Sequence, residues 1–150
     1  MEFLRRAVTA EPNSFEPRAA LIQAYLETGQ TNQALADALA LSRAGPTDPR
    51  ATQVLGATQL AAGRRSDAVA TFSRAAAARP DDVGAKILLG RAQVAAGQPG
   101  DARATYEAAA RMKGAPREAI ELELVRLDVG AKNFDSALRR ANALKAQTRN

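Results

Sequence analysis

The chain has 150 residues, of which 46% are hydrophobic but only 4% aromatic, and its formal net charge is +5. This length can bury a core, but the many alanines and few large side chains favour closely spaced helices over a thick core. Cysteine and histidine are both absent. This excludes disulfides and thiolate metal sites, and it removes the commonest zinc ligand and general base, so we expect no enzyme, no metal and no cofactor.

A period of 34 residues runs along the chain and organises its predicted elements. It appears in a proline column, a turn-glycine column, a small-alanine column and an aromatic column: Pro12, Pro46, Pro80; Gly29, Gly63, Gly97; Ala34, Ala68, Ala102; Phe72, Tyr106. Several independent columns with one period indicate a repeat protein. No apolar run approaches the roughly 20 residues that a membrane-spanning helix needs.

Each repeat begins with a helix whose start and end can be read from the sequence. Ser14, Asp48 and Asp82 precede these first helices, and we expect their side chains to accept hydrogen bonds from free backbone N–H groups. Pro49 then takes a first helical position, where its missing N–H does no harm. The turn glycines end the helices because they tolerate a left-handed backbone. The second helices are predicted to begin near Thr31, Ser66 and Pro99 and to stop by Pro46, Pro80 and Gly114.

Two glycines, Gly56 and Gly90, lie in the middle of first helices, where glycine costs about 1 kcal/mol relative to alanine. We interpret them as positions where the second helix crosses too closely to leave room for a side chain. Ala68 and Ala102 would be the small residues that face them. The aromatic column would supply larger side chains that pack between neighbouring repeats.

Leu55-Gly56 recurs as a Leu-Gly pair at 89–90. These pairs and the four columns above, taken together, resemble the tetratricopeptide repeat (TPR). The resemblance implies an all-α fold, a right-handed α-α superhelix of helix-turn-helix repeats. It implies four repeats and a leading second helix from a truncated repeat, as in a fragment of a longer array: residues 2–12; 15–48; 49–82; 83–116; 117–150. The fourth repeat is degenerate, since a one-residue slip puts Lys132 at the turn-glycine position. We expect Gly130 to end that helix in a different way.

In TPR proteins the first helix of each repeat lines a concave groove. The resemblance therefore implies that partner-binding residues lie at Glu16, Gln23, Glu27, Arg50, Gln53, Leu60, Ile87, Arg91, Val94, Leu122 and Arg126. Leu26 and Val129 would extend an apolar strip along this groove. Charge changes from acidic in the first repeat to basic in the later ones, through Arg91 and Arg126, which suits an extended or helical peptide with an acidic portion. The alternative is that the strip is partly buried between first helices and that the arginines are ordinary solvent-exposed residues with no part in binding.

The function that follows is a protein-interaction scaffold, with self-association through exposed end helices as the first alternative. Nucleic-acid binding is less favoured because the basic residues are scattered and no aromatic residues interleave with them for base stacking. Three carboxylates, Glu118, Glu121 and Glu123, lie near the start of the first helix of the fourth repeat, where their charge complements the helix dipole. The dipole is a sufficient reason for them without acid–base chemistry.

Three alanine- and arginine-rich segments, residues 59–72, 93–106 and 124–138, resemble the TPR lipoproteins that accompany bacterial exopolysaccharide export and the linked PEP-CTERM protein-sorting systems. This resemblance implies a bacterial protein of the periplasm or cell envelope, with the cytoplasm as the alternative.

Overall fold

The computed structural model describes residues 1–12 and 14–147, and within these ranges the chain forms nine α-helices and no strand. The helices are α1 (Glu2–Ala10), α2 (Phe15–Glu27), α3 (Thr31–Ala44), α4 (Pro49–Ala61), α5 (Arg65–Ala78), α6 (Val83–Ala95), α7 (Pro99–Ala110), α8 (Arg117–Gly130) and α9 (Phe134–Gln147). The predicted all-α class is confirmed. None of the helices in the described ranges is both long and apolar enough to cross a membrane.

The chain divides into two compact units, Met1–Ala75 and Ala76–Asn150, with the division inside α5. We call them the N-terminal unit and the C-terminal unit. In the N-terminal unit, α2 packs against α1, α3 and α4, and α3 also packs against α4. In the C-terminal unit, α7 packs against α6 and α8, and α8 packs against α9. The last three residues of the fourth predicted repeat, 148–150, lie outside the described residues.

Two of the three predicted N-caps form the expected hydrogen bonds. Asp48 accepts a hydrogen bond from the backbone N–H of Arg50, and Asp82 accepts one from that of Ala85. The prediction was wrong for Ser14, whose backbone takes the extended cap conformation but whose side chain makes no cap hydrogen bond. The third helical residue of α2 is Pro17, which lacks the N–H that a capping serine usually bonds.

The turn glycines end the first helices as predicted. Gly29, Gly63 and Gly97 have φ angles of 71°, 72° and 74°. The residue after each glycine donates its backbone N–H to the carbonyl five positions earlier, as in Gln30 to Tyr25 at 2.8 Å. A left-handed residue followed by this bond is the common way to satisfy free carbonyls at a helix end. The same turn therefore connects the paired helices three times.

Lys132 takes the place of the turn glycine at the end of α8. Its φ is 60°, and it is the one non-glycine residue with positive φ among the described residues. Asn133 donates its N–H to the Asp128 carbonyl at 2.8 Å, which reproduces the glycine turns. The expectation that Gly130 ends this helix differently was wrong, since Gly130 is still helical and Lys132 adopts the strained conformation.

We expect Lys132→Gly to raise the free energy of unfolding by about 1 kcal/mol. A side chain in the left-handed region costs roughly 1–2 kcal/mol, which glycine avoids, but the larger entropy of glycine in the unfolded chain offsets part of this gain. Urea unfolding followed by circular dichroism measures the difference. Lys132→Ala is the control and should change little, since alanine keeps the Cβ that causes the strain. Equal stabilisation by both substitutions would contradict the interpretation.

The mid-helix glycines accommodate aromatic rings, not alanines. A Cβ built on Gly56 would lie 2.2 Å from the tip of the Phe72 ring, and one on Gly90 would lie 2.5 Å from the Tyr106 ring. Ala68 and Ala102 are fully buried but are not the nearest neighbours. The predicted pairing of glycine with alanine was therefore wrong, because the large side chain of the second helix needs the space that the glycine leaves. Phe72 thus packs within its own helix pair.

Candidate functional site

The predicted groove positions of the N-terminal unit lie on α2 and α4. Leu60 is half-buried and the other five are exposed: Glu16, Gln23, Glu27, Arg50 and Gln53. The residues between them on the same helices form the core, for example Leu21, Ile22 and Leu55. Helical periodicity therefore separates a buried face from an exposed face at these positions.

Arg50 is held on the surface of the N-terminal unit by three neighbours. Its guanidinium lies 3.3 Å from the Glu16 carboxylate, 3.0 Å from that of Asp48 and 4.2 Å from the centre of the Phe15 ring. The hydrogen bonds from Arg50 hold the pKa of the Asp48 carboxyl below its usual range. Glu16 is therefore partly neutralised, and the acidic character predicted for the first repeat is reduced.

In the C-terminal unit the predicted groove positions lie on α6 and α8, and we call this set the groove face: Ile87, Arg91, Val94, Leu122 and Arg126. Ile87 is half-buried and the other four are exposed. Val94 is 44% exposed and Leu122 is 48% exposed, so both present apolar surface to solvent. Val129, which the apolar strip also included, is 48% exposed. The apolar strip is therefore open to solvent in this unit.

Glu123 connects the two arginines of the groove face. Its carboxylate lies 2.9 Å from the Arg91 guanidinium and 3.2 Å from that of Arg126, and its side chain is only 14% exposed. Glu121 forms a separate ion pair with Arg140 at 2.9 Å. The helix dipole alone was therefore an incomplete account of these carboxylates. Two arginines share one carboxylate, so one positive charge remains uncompensated on the groove face.

Tyr106 lies close to this ion cluster, with its side chain fully buried. Its hydroxyl has no hydrogen-bond partner among the described residues. Burial raises the pKa of Tyr106 to about 12, and the negative charge of Glu123 adds to this, while Arg91 and Arg126 oppose it. The phenol is therefore neutral at physiological pH.

A polar pair that the sequence analysis missed joins the first helix of a repeat to the second helix of the same repeat, and it occurs in two successive repeats. Thr71 donates its hydroxyl proton to Gln59 Oε1 at 2.8 Å, and Thr105 does the same to Gln93 Oε1 at 2.8 Å. The signal was present, because the glutamines and the threonines each recur at 34 residues. In α8 and α9 the corresponding pair, which is also 12 residues apart, is Asp128 and Arg140.

Asp128 is the most buried charge described in the C-terminal unit, with 1% of its surface exposed. Its carboxylate accepts hydrogen bonds from Arg103, from Ser136 Oγ at 2.8 Å and from Arg140 Nε at 3.2 Å. Burial alone would raise its pKa, but the hydrogen bonds from Ser136 and Arg103 and the charges of Arg103 and Arg140 hold the pKa below its usual range. The carboxylate therefore has a structural role in joining α7, α8 and α9.

The described residues contain no group of three or more side chains suited to hold a metal ion. The exposed side chains of both first-helix faces are apolar, amide or charged groups, and such a mixture suits contact with another protein.

Comparison with known proteins identifies this architecture. The sequence profile of the tetratricopeptide repeat matches residues 1–57 and 59–117. A MamA protein from Desulfovibrio magneticus RS-1 has a similar structure, with a TM-score of 0.75 at 20% identity over 99% of this chain and 83% of that one. A thermophilic TPR protein in Thermus thermophilus gives 0.73 at 21% identity over 95% and 78%.

At these identities the solved structures show the fold alone, and no curated protein sequence is similar enough to match. The profile covers most of the chain, and the helix-turn-helix pairs agree with it. TPR proteins are in general non-enzymatic scaffolds for protein interactions. The chain belongs to the tetratricopeptide-repeat family.

Proposed function

We propose that the protein is a scaffold whose groove face binds an acidic peptide segment of a partner protein. The observation that supports this most is the exposure of Val94, Leu122 and Val129 next to Arg91 and Arg126. When a partner covers exposed apolar side chains of this kind, binding is favoured by roughly 25 cal/mol for each Å² of apolar surface removed from water. The groove positions of the N-terminal unit remain a prediction.

The charges of the groove face favour a carboxylate as the polar part of the ligand. Arg91 and Arg126 both bind Glu123, so a carboxylate from a partner can engage the free donors of either guanidinium. Arginine presents five donors in a planar fork that matches carboxylate geometry. A lysine-rich segment would instead meet uncompensated positive charge and be rejected.

Charge reversal at both arginines tests the proposal. We expect the double variant Arg91→Glu, Arg126→Glu to lose partner proteins from a bacterial envelope extract, with at least about a tenfold drop in affinity for each partner. The control is Arg64→Glu, Arg65→Glu, which makes the same charge change at exposed positions of the N-terminal unit. Capture that is unchanged in the groove variant, or equally reduced in the control, would contradict the proposal.

An envelope location, and a place in exopolysaccharide export, are part of the proposal and are supported by the resemblance of three sequence segments alone. Self-association is the second candidate. It is favoured by Phe134 and Leu138, which lie one turn apart on α9 and are 62% and 61% exposed. Light scattering over a concentration series would show a rising mass if this face binds another copy. A monomer mass at every concentration would rule this candidate out.

A further inference from the structure

A cavity of about 780 Å³ lies in the C-terminal unit between α7, α8 and α9. Four arginines and two glutamates supply its polar lining: Arg111, Arg117, Arg139, Arg140, Glu107 and Glu121. Its volume falls in the range of roughly 300–1,000 Å³ that is usual for ligand sites. No part of the groove face lines it.

The cavity and the groove face lie on opposite sides of α8. Leu122 and Arg126 belong to the groove face, whereas Arg117, Glu121 and Leu124 line the cavity. Successive residues of a helix are about 100° apart around its axis, so the two sets project in different directions. A ligand in the cavity therefore leaves the groove face free.

The lining has a formal net charge of +2, from four arginines and two glutamates, and both glutamates pair with the same arginine. Arg140 lies 2.9 Å from Glu121 and 3.6 Å from Glu107, and it also bonds Asp128. Arg111, Arg117 and Arg139 are exposed. Their guanidinium groups make no hydrogen bond or ion pair within the described ranges of the chain. Three guanidinium groups are therefore available around the cavity for an acidic ligand.

The remaining lining is apolar. Leu124, Leu144, Ala110 and Ala143 complete the cavity wall. A small anion such as phosphate would satisfy the arginines but leave the apolar wall in contact with water. A ligand with both carboxylates and an aliphatic side chain satisfies both parts of the lining.

We propose that this cavity is a second protein-binding site, which takes an acidic amphipathic segment of a partner. An aliphatic side chain of leucine size enters the cavity, and flanking carboxylates bind the guanidinium groups of Arg111, Arg117 and Arg139. Charge complementarity selects this partner, since arginine forks recognise carboxylates in two-point geometry. The protein would then hold two partners at once, one on the groove face and one in the cavity.

A fluorescein-labelled helical peptide of alternating Glu-Glu and Leu-Leu pairs tests the proposal in fluorescence anisotropy with the full chain. We expect saturable binding that weakens at least about tenfold in Arg111→Glu, Arg139→Glu, because two ion-paired contacts become repulsive. We expect Ala143→Trp, which places a large side chain at the cavity lining without a change in charge, to weaken binding by a similar factor. Circular dichroism melts confirm that both variants are folded.

Two control variants and a competing anion distinguish the cavity from the groove face and from a general charge effect. Because the groove face is itself proposed to bind acidic segments, the peptide is also measured with the groove variant Arg91→Glu, Arg126→Glu, in which the cavity binding should persist and should be lost when Arg111→Glu, Arg139→Glu is added. The control Arg64→Glu, Arg65→Glu should keep the peptide affinity. The cavity proposal is overturned by an absence of peptide binding, by equal loss in the control, by loss only in the groove variant, or by full binding in Ala143→Trp. Tripolyphosphate that binds as tightly as the peptide, with the same loss in the cavity variant, would make this a phosphate site and overturn the assignment to an acidic protein.

Discussion

Asp128→Asn is expected to lower the free energy of unfolding by about 2 kcal/mol. The carboxylate is buried and bonds Arg103, Ser136 and Arg140, so its loss leaves two guanidinium groups without their shared counter-charge. Removal of one partner from a buried ion pair usually costs about 3–5 kcal/mol. The cost is smaller here because Arg140 keeps Glu121 and asparagine can still accept a hydrogen bond. Urea unfolding measures the change.

The pH dependence of the same variant gives an independent check. The pKa of Asp128 is lowered in the folded protein, so its stabilisation is fully present above the unfolded pKa of about 3.9 and is lost as pH falls through the folded pKa. The stability difference between the parent protein and Asp128→Asn should therefore shrink in acid. Asp81→Asn, at an exposed position, is the control and should cost little at any pH. A difference that stays constant down to strongly acidic pH would contradict the role assigned to the charge.

Gly56→Ala is expected to destabilise the protein by about 2 kcal/mol through overpacking. The new Cβ would lie 2.2–2.8 Å from three atoms of the Phe72 ring, and this ring is only 2% exposed, so neither group can move aside easily. The gain in helix propensity, about 1 kcal/mol, offsets part of this loss. Gly100→Ala is the matched control, because a Cβ there meets nothing within 4 Å. It should be neutral or slightly stabilising.

A double-mutant cycle with Phe72→Leu identifies the cause. Leucine lacks the ring tip that meets the new Cβ, so Gly56→Ala should cost less in the Phe72→Leu background than in the parent protein. The unfolding free energies of the four proteins give the coupling. If the two changes are additive, the ring is not what excludes the side chain at residue 56.

The 34-residue columns were sufficient to predict the helix pairs because they mark local events. The left-handed glycines at 29, 63 and 97 act within a single turn of backbone. The same holds for the cap bonds of Asp48 and Asp82. Each of these depends on residue type and on near neighbours, which the sequence shows directly. The division into four repeats remains a prediction that agrees with these helices.

The parts of the site that the sequence did not predict depend on side chains from different helices. Glu123 meets Arg91 from α6, and Asp128 meets Arg103 from α7. Which partner each carboxylate reaches is decided by helix rotation and rotamer, and the spacing along one helix does not contain that information. The aromatic neighbour of Gly56 was missed for the same reason. The cavity between α7, α8 and α9 likewise depends on how far those helices diverge.

The polar pair that joins the two helices of a repeat has a consequence for how this family diversifies. Gln59 with Thr71 is a neutral version, and Asp128 with Arg140 is a charged version at the equivalent positions. A change of one member alone leaves a buried group that is not matched in charge or hydrogen bonding. The two positions should therefore covary across related sequences, even though 12 residues separate them. Because the two residues of this contact should change together, the pair would identify the register of repeats in which the other conserved positions have changed.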